Sequence, residues 1–182
     1  MPPSAAAPPA EAPGGGSAAP PPPPGGGGVR QVDLTEPGDG VLPSDAFRAE
    51  GFLASADPGT IAVPGCEAAT AVAVFTDPDG KKFLTSSSPD DAAACHTVPV
   101  MIDFLREAPA GAVKLTPVTK DALEMEVGYA DLSRSVEPSL SVGADKARAR
   151  GGVDFVLVRP KAQDGAATTP VALTRMAITA LR

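Results

Sequence analysis

The sequence predicts an all-β fold, an antiparallel β-sandwich or jelly roll of about eight short strands. Aromatic residues make up only 4% of the chain, tryptophan is absent, and 19 glycines and 22 prolines occur in 182 residues. Short apolar or alternating stretches recur between Gly-, Pro- and Asp-rich segments, without the regular strand–helix–strand order of a parallel sheet. These observations indicate many tight turns and an antiparallel sheet.

The first 28 residues differ in composition from the rest of the chain. They are almost wholly proline, alanine and glycine, and Glu11 is their only charged side chain. Such a segment has little to bury and is predicted to be disordered, with a polyproline II rod at 20–24 and a flexible glycine joint at 25–28. We therefore divide the chain into a tail or linker, 1–28, and a β-sandwich domain, 29–182. The proline run is either a spacer or a ligand for SH3-like or WW-like modules.

The first part of the domain predicts one strand and one helical turn. Val32 and Leu34 alternate with polar residues, as in a half-buried strand. After a turn rich in Gly, Pro and Asp, Ser44 is expected to cap a short helical turn that Gly51 ends.

The next segments predict two strands and a hairpin. The apolar stretches 60–65 and 70–75 are typical of short strands. Asp-Pro-Asp-Gly at 77–80 then separates Phe75 from Phe83, and its turn-forming residues predict a hairpin between them.

The second half of the domain has the clearest strand patterns. Residues 123–129 alternate, with apolar side chains on one face and Glu124 and Glu126 on the other, which indicates one wet face. Residues 153–160 are apolar on both faces and predict a central strand ended by Pro160. Three further strands are predicted from Val100, Ile102 and Phe104, from Val113 and Leu115, and over residues 172–181.

The order of these segments resembles the galactose-binding-like jelly-roll domains of uncharacterised exported bacterial proteins. In that family, an alternating strand ending in Phe precedes a Pro-x-x-x-Val-x-Leu strand, as residues 100–104 and 109–115 do here. A later strand ends in an aromatic residue followed by Asp, which Tyr129-Ala130-Asp131 matches loosely. The resemblance covers residues 30–181 and implies a jelly-roll fold that serves in binding or as a spacer. Sugar binders of this family usually present an exposed aromatic side chain in an end loop.

Charge and hydropathy limit the classes of partner. The net charge of −7 and the isoelectric point near 4.6 argue against nucleic acid, whose binding depends on Lys and Arg. No apolar run approaches the ~20 residues of a membrane span. The first residues lack a signal-peptide pattern, so either the chain is cytoplasmic or its true start lies upstream.

Cys95 and His96 are adjacent, and His96 is the only histidine. In an extended strand neighbouring side chains point to opposite faces, which disfavours a Cys–His dyad, and a metal site would lack ligands. The favoured prediction is a Cys66–Cys95 disulfide worth roughly 3–4 kcal/mol and typical of an oxidising compartment. Two free thiols are the alternative.

Three acidic loops, 36–40, 76–81 and 88–92, are expected to meet at one end of the sandwich. Asp-Pro-Asp-Gly at 77–80 fails the EF-hand pattern, because position 12 falls on a serine. Jelly-roll domains of the resembled family often hold one structural calcium ion with carboxylates and loop carbonyls. By that resemblance the candidate ligands are Glu36, Asp39, Asp90 and Asp91, and no other cofactor is predicted.

The sequence contains no pattern that supports an enzyme. Glu124 and Glu126 lie roughly 7 Å apart on one strand face, but no catalytic partner accompanies them. We therefore expect a noncatalytic, exported or cell-surface module that binds a glycan, calcium or a cell-surface protein, or acts as a spacer. The alternative is an intracellular interaction protein that recruits its partner through the proline-rich tail.

Overall fold

The computed structural model describes residues 28–106, 109–119, 121–161 and 169–181. The antiparallel all-β prediction is confirmed, although the described residues form twelve strands rather than about eight, and three of the twelve are short (two to four residues). The prediction of a disordered tail falls on residues 1–28, of which 1–27 lie outside the described residues.

The strands are connected by short turns and by loops, with little helix. The first six strands are β1 (Val29–Asp33), β2 (Gly40–Val41), β3 (Phe52–Ala56), β4 (Ala71–Thr76), β5 (Lys82–Ser87) and β6 (Val100–Phe104). The other six are β7 (Ala110–Pro117), β8 (Leu123–Tyr129), β9 (Arg134–Glu137), β10 (Ser141–Val142), β11 (Val153–Pro160) and β12 (Leu173–Ala180). The described helices are α1 (Ala144–Arg148) and a 3-10 turn (Arg48–Glu50).

Hydrogen-bonded pairing arranges the strands in two layers and a flap. One layer has the order β9-β8-β11-β6-β3, and the other has the order β10-β7-β12-β1. A three-stranded flap, β2-β4-β5, joins β12 where Leu84 faces Leu173, and the two layers meet where Val153 faces Ala110. The result is a sandwich-like fold.

One hydrophobic core lies between the layers. Ile102, Val127 and Val156 from the five-stranded layer and Leu115 and Met176 from the four-stranded layer are buried in the same cluster. As predicted, β11 is central: it pairs with β6 on one side and β8 on the other. Because successive side chains of a strand point to opposite faces, every second residue of each strand faces this core.

Two predictions for residues 43–65 are wrong. Residues 60–65 form no strand, because the Asp57 carboxylate accepts hydrogen bonds from Gly59 N (2.9 Å) and Thr60 Oγ1 (2.7 Å) and so starts a turn. The strand lies earlier, at β3, where small alanines had hidden the alternation. Ser44 caps no helix: the 3-10 turn starts at Arg48 without a side-chain cap, although Gly51 does end it.

Helix α1 is a further difference. The basic cluster at 145–152 has a composition that predicts a solvated loop, because its charged residues lie in acidic surroundings. In the structure Ala147 is fully buried and its amide donates to Gly143 O. A single buried alanine therefore holds this turn against β7.

Candidate functional site

Cys66 and Cys95 lie at disulfide distance, with their Cα atoms 5.6 Å apart. Because the Cys95 sulfur is joined to Cys66, it is not available as a nucleophile or metal ligand in this state. The two residues belong to a small second core of Ala56, Ala69 and Val98. The pair thus ties two loops together beside the flap.

His96 lies in a loop before β6 and not in a strand, because Cys95 takes a left-handed backbone conformation (φ 66°). Its Nε2 donates to Ala92 O (2.8 Å), and its ring packs edge-on against Phe75, with ring centroids 4.9 Å apart. Its carbonyl accepts the amide of Val171 (2.7 Å). These contacts make His96 a packing residue that anchors the loop to the entry of β12.

Two of the three acidic loops meet, but their carboxylates do not form a metal site. Asp39 accepts a hydrogen bond from Thr76 Oγ1 (2.8 Å) and faces Lys82 Nζ (3.7 Å), so loop 36–40 reaches the β4–β5 hairpin. Asp91 accepts the amide of Ala93 within its own loop. Asp77 accepts the amides of residues 79 and 81, as expected of a hairpin turn.

The four candidate calcium ligands, Glu36, Asp39, Asp90 and Asp91, are exposed. Within the described ranges, no three or more His, Cys, Asp or Glu side chains come close enough to hold a metal ion. The calcium prediction therefore has no geometric support from side chains.

The two glutamates of β8 lie on the outer face of the five-stranded layer and are ion-paired. Arg159 Nε lies 2.8 Å from Glu124 Oε1 and its NH1 lies 3.7 Å from Glu126 Oε2, while Arg134 NH1 lies 3.1 Å from Glu126 Oε1. These side chains cover Leu157, which is only 3% exposed although it points outward. Ion-paired side chains therefore cover this part of the outer face.

Phe155 completes this cover. Its ring lies over Gly128 of β8: a Cβ added at Gly128 would be 2.0 Å from the Phe155 Cε1 atom. The guanidinium of Arg134, a residue of β9, lies 5.2 Å from the centroid of the Phe155 ring. Since the ring is covered by its neighbours, it does not offer a free stacking surface.

A chain of polar side-chain contacts links β8 and β9 to α1. Tyr129 Oη is 3.0 Å from Ser135 Oγ, which donates to Glu137 Oε1 (2.6 Å), and Lys146 Nζ also pairs with Glu137. Of the influences on the pKa of Glu137, burial is the largest, and it acts to raise the pKa. The hydrogen bonds from Lys146 and Ser135, with the charges of Lys146 and Arg150, outweigh it and lower the pKa of Glu137.

The outer face of the four-stranded layer is built differently, from small side chains around one lysine. Lys114 of β7 is exposed and faces Ser141 of β10 on one side and Ala177 of β12 on the other. Ala112 and Thr179 face each other in the next row. Small neighbours leave the lysine standing in a shallow depression.

Two apolar hollows adjoin this lysine, and together they form what we term the Lys114 groove. The Val29 hollow has a volume of about 280 Å³ and is lined chiefly by Val29, Ala112 and Ala177. The Pro138 hollow, of about 180 Å³, lies between the end of β7 and the β9–β10 connection. Lys114 and Ser141 line both hollows. From residue 112 to 117 of β7 the groove is about 17 Å long.

The charges around this face are mixed, and Asp121 lines the Pro138 hollow together with Lys114. Lys114 belongs to none of the ion pairs that the described residues make. Arg175 faces Asp33 across β12 and β1 and is exposed. The pKa of Asp33 is lowered, first by the hydrogen bonds from Thr35 and least by Arg175, so Asp33 stays ionised but is already engaged.

Sequence reasoning missed the Lys114 groove. The strand pattern at 113–115 shows that residue 114 points outward, but only the pairing of β7 with β10 and β12 shows that its neighbours are small. The hollow at Pro138 depends on a connection whose path has no sequence signature.

No family model, no curated protein and no solved structure matches this chain. The resemblance to galactose-binding-like domains therefore stays a prediction. Among the described residues, no helix is long and apolar enough to cross a membrane.

Proposed function

We propose that this chain is a noncatalytic, exported or cell-surface β-sandwich module that binds an extended polypeptide segment of a partner protein in the Lys114 groove. The observation that carries the proposal is the pair of apolar hollows on either side of one exposed lysine. A segment with a carboxylate between two apolar side chains complements this arrangement in both charge and shape.

A polypeptide fits the groove better than a neutral glycan. The linings of both hollows are predominantly apolar, and no aromatic side chain lines either of them in the described part of the chain. Two apolar anchors set two positions on either side of an acidic residue would span about 13 Å in an extended chain, which fits within the groove. Glycan and calcium binding stay predictions.

Two further features support a noncatalytic role in an oxidising compartment. The Cys66–Cys95 pair is at disulfide distance, and disulfides persist mainly outside the cytosol. Glu124 and Glu126, the paired carboxylates of the sequence, are held by Arg159 and so serve to cover the sheet.

Nuclear magnetic resonance can test the proposal with the oxidised full-length protein. The probe is the peptide acetyl-Leu-Ala-Glu-Ala-Leu-amide, and its control has Lys in place of Glu. We expect saturable shifts of the Ala112, Lys114 and Ser141 amides with a dissociation constant on the order of 1 mM or tighter, and binding of the control at least about tenfold weaker.

Lys114→Glu should abolish these shifts, whereas Lys82→Glu, the same charge change on an exposed lysine of the flap, should leave them unchanged. Equal binding of the two peptides, or shifts scattered away from the groove, would contradict the proposal.

A further inference from the structure

We infer that the Lys114 groove also binds a segment of this same chain, residues 8–13 (Pro-Pro-Ala-Glu-Ala-Pro), with the Glu11 carboxylate against the Lys114 ammonium. Residues 8–13 lie outside the described part of the chain, and their sequence is what matches the groove. The inference rests on the proposed function and adds its regulation: the docked segment competes with the partner for one site.

The match begins with charge. Glu11 is the only charged residue among residues 1–28, and Lys114 is the cation that both hollows share. Some cations of the domain already hold carboxylates, as Arg30 does with Glu50 and Lys146 with Glu137, whereas Lys114 belongs to none of the described ion pairs. A carboxylate delivered to Lys114 therefore displaces no existing ion pair.

The match continues with the apolar flanks. Pro9 and Pro13 stand two positions on either side of Glu11, and in an extended chain residues two apart share a face. Glu11 against Lys114 would then direct one proline to each hollow. Proline suits such a site because its fixed φ reduces the entropy lost on binding.

The chain enters the domain at the groove itself. Val29, the first residue of β1, lines the Val29 hollow, and only residues 14–28 separate it from Pro13. With the predicted polyproline II rod at 20–24 (about 16 Å) and the other ten residues as a coil (about 17 Å), this linker has a root-mean-square span of about 23 Å, enough to follow the groove. Tethering of this kind gives an effective concentration on the order of millimolar.

Docking from the tether has a measurable consequence for the partner site. If the segment fills the groove half of the time, the apparent dissociation constant of an added peptide rises about twofold, because only the open fraction can bind. Removing the Glu11 charge should return the groove to the open state and tighten peptide binding by the same factor.

The experiment compares groove amides in four forms of the full-length oxidised protein: wild type, Glu11→Lys, Lys114→Glu and the double charge swap. We expect the amides of Ala112, Ser141 and Ala177 to differ between wild type and Glu11→Lys, and to return towards wild-type positions in the double swap. Lys82→Glu is the matched control and should leave them unchanged. Dilution should also leave them unchanged, since the contact is within one chain.

The outcomes separate the two proposals. Identical groove amides in wild type and Glu11→Lys would overturn the inference, and shifts that vanish on dilution would overturn docking within one chain in favour of a second copy. Titration of Glu11→Lys with acetyl-Leu-Ala-Glu-Ala-Leu-amide then decides the rest. If the Glu11→Lys protein binds this peptide, the proposed peptide-binding function stands even when docking of residues 8–13 is refuted. If it does not bind the peptide, both proposals are refuted.

Discussion

Removal of the Cys66–Cys95 link should cost this protein a large share of its stability. The two residues are 29 positions apart, so the disulfide closes a loop whose entropy in the unfolded chain falls by about 12 cal/mol/K. At 25 °C this corresponds to about 3.6 kcal/mol, against a total of about 5–15 kcal/mol for a typical domain. The double variant Cys66→Ala/Cys95→Ala should lose about that amount.

Urea unfolding followed by circular dichroism measures this loss. The link joins two loops around a small second core that includes Ala69 and Val98. In the variant the urea midpoint should therefore shift in a single transition, and this second core should become slightly more exposed to solvent. Wild-type protein in the presence of a phosphine reductant should unfold with the variant, and the variant itself should not respond to the reductant. A loss below about 1 kcal/mol would refute the entropic account.

Four other perturbations test separate features of the structure. Gly128→Ala should lower the free energy of unfolding by about 1–3 kcal/mol, since the new Cβ would meet the Phe155 ring, and an unchanged urea midpoint would show that the ring moves away freely. Leu132→Gly should raise it by about 0.5–1 kcal/mol, because Leu132 is 90% exposed yet holds a φ of 66°; a loss would mean that the leucine makes a contact of its own. Partial burial and then the charge of Asp154 raise the pKa of Asp103, so the ionised form destabilises the fold. Asp103→Asn should therefore raise the melting midpoint at neutral pH, with the gain disappearing below about pH 3.8, the unfolded pKa; a gain that persists in acid would contradict this origin. Added calcium tests the calcium prediction: a rise of the melting midpoint would support a site completed by loop carbonyls, whereas an unchanged midpoint would contradict it, in keeping with the absence of three clustered carboxylates among the described residues.

The strands that could be predicted are those whose alternation involves large side chains. Residues 123–129 alternate Leu, Met, Val and Tyr with smaller or charged residues, and β8 forms there with its apolar face fully buried. Residues 153–160 carry apolar side chains on both faces, with Asp154 and Arg159 as the charged exceptions, and β11 lies at the centre of its layer. In both cases the hydrophobic pattern alone is strong enough to decide the structure.

The strands that were missed depend on contacts distant in sequence. Phe52–Ala56 has two alanines at its buried positions, which carry little apolar signal, and it becomes a strand because β6 pairs with it over its whole length. Residues 60–65 carry the stronger local pattern, yet the Asp57 turn precedes them and Gly65 adopts a φ of 81°. Pairing and turn chemistry outweighed local propensity in both segments.

The Lys114 groove shows why the site was harder to predict than the fold. In the sequence, Lys114 is a single charged residue in a strand, and such residues usually do no more than keep the outer face of a sheet in contact with water. Its character comes from Ser141, 27 positions later, and from Ala177, 63 positions later, which the register of two strand pairs places beside it. Small neighbours turn an ordinary exposed lysine into the centre of a depression with apolar ends. A binding face of this kind is specified by the register between strands, so exchanging Ala177 for a large side chain should fill the groove and block peptide binding while β12 keeps its pairing.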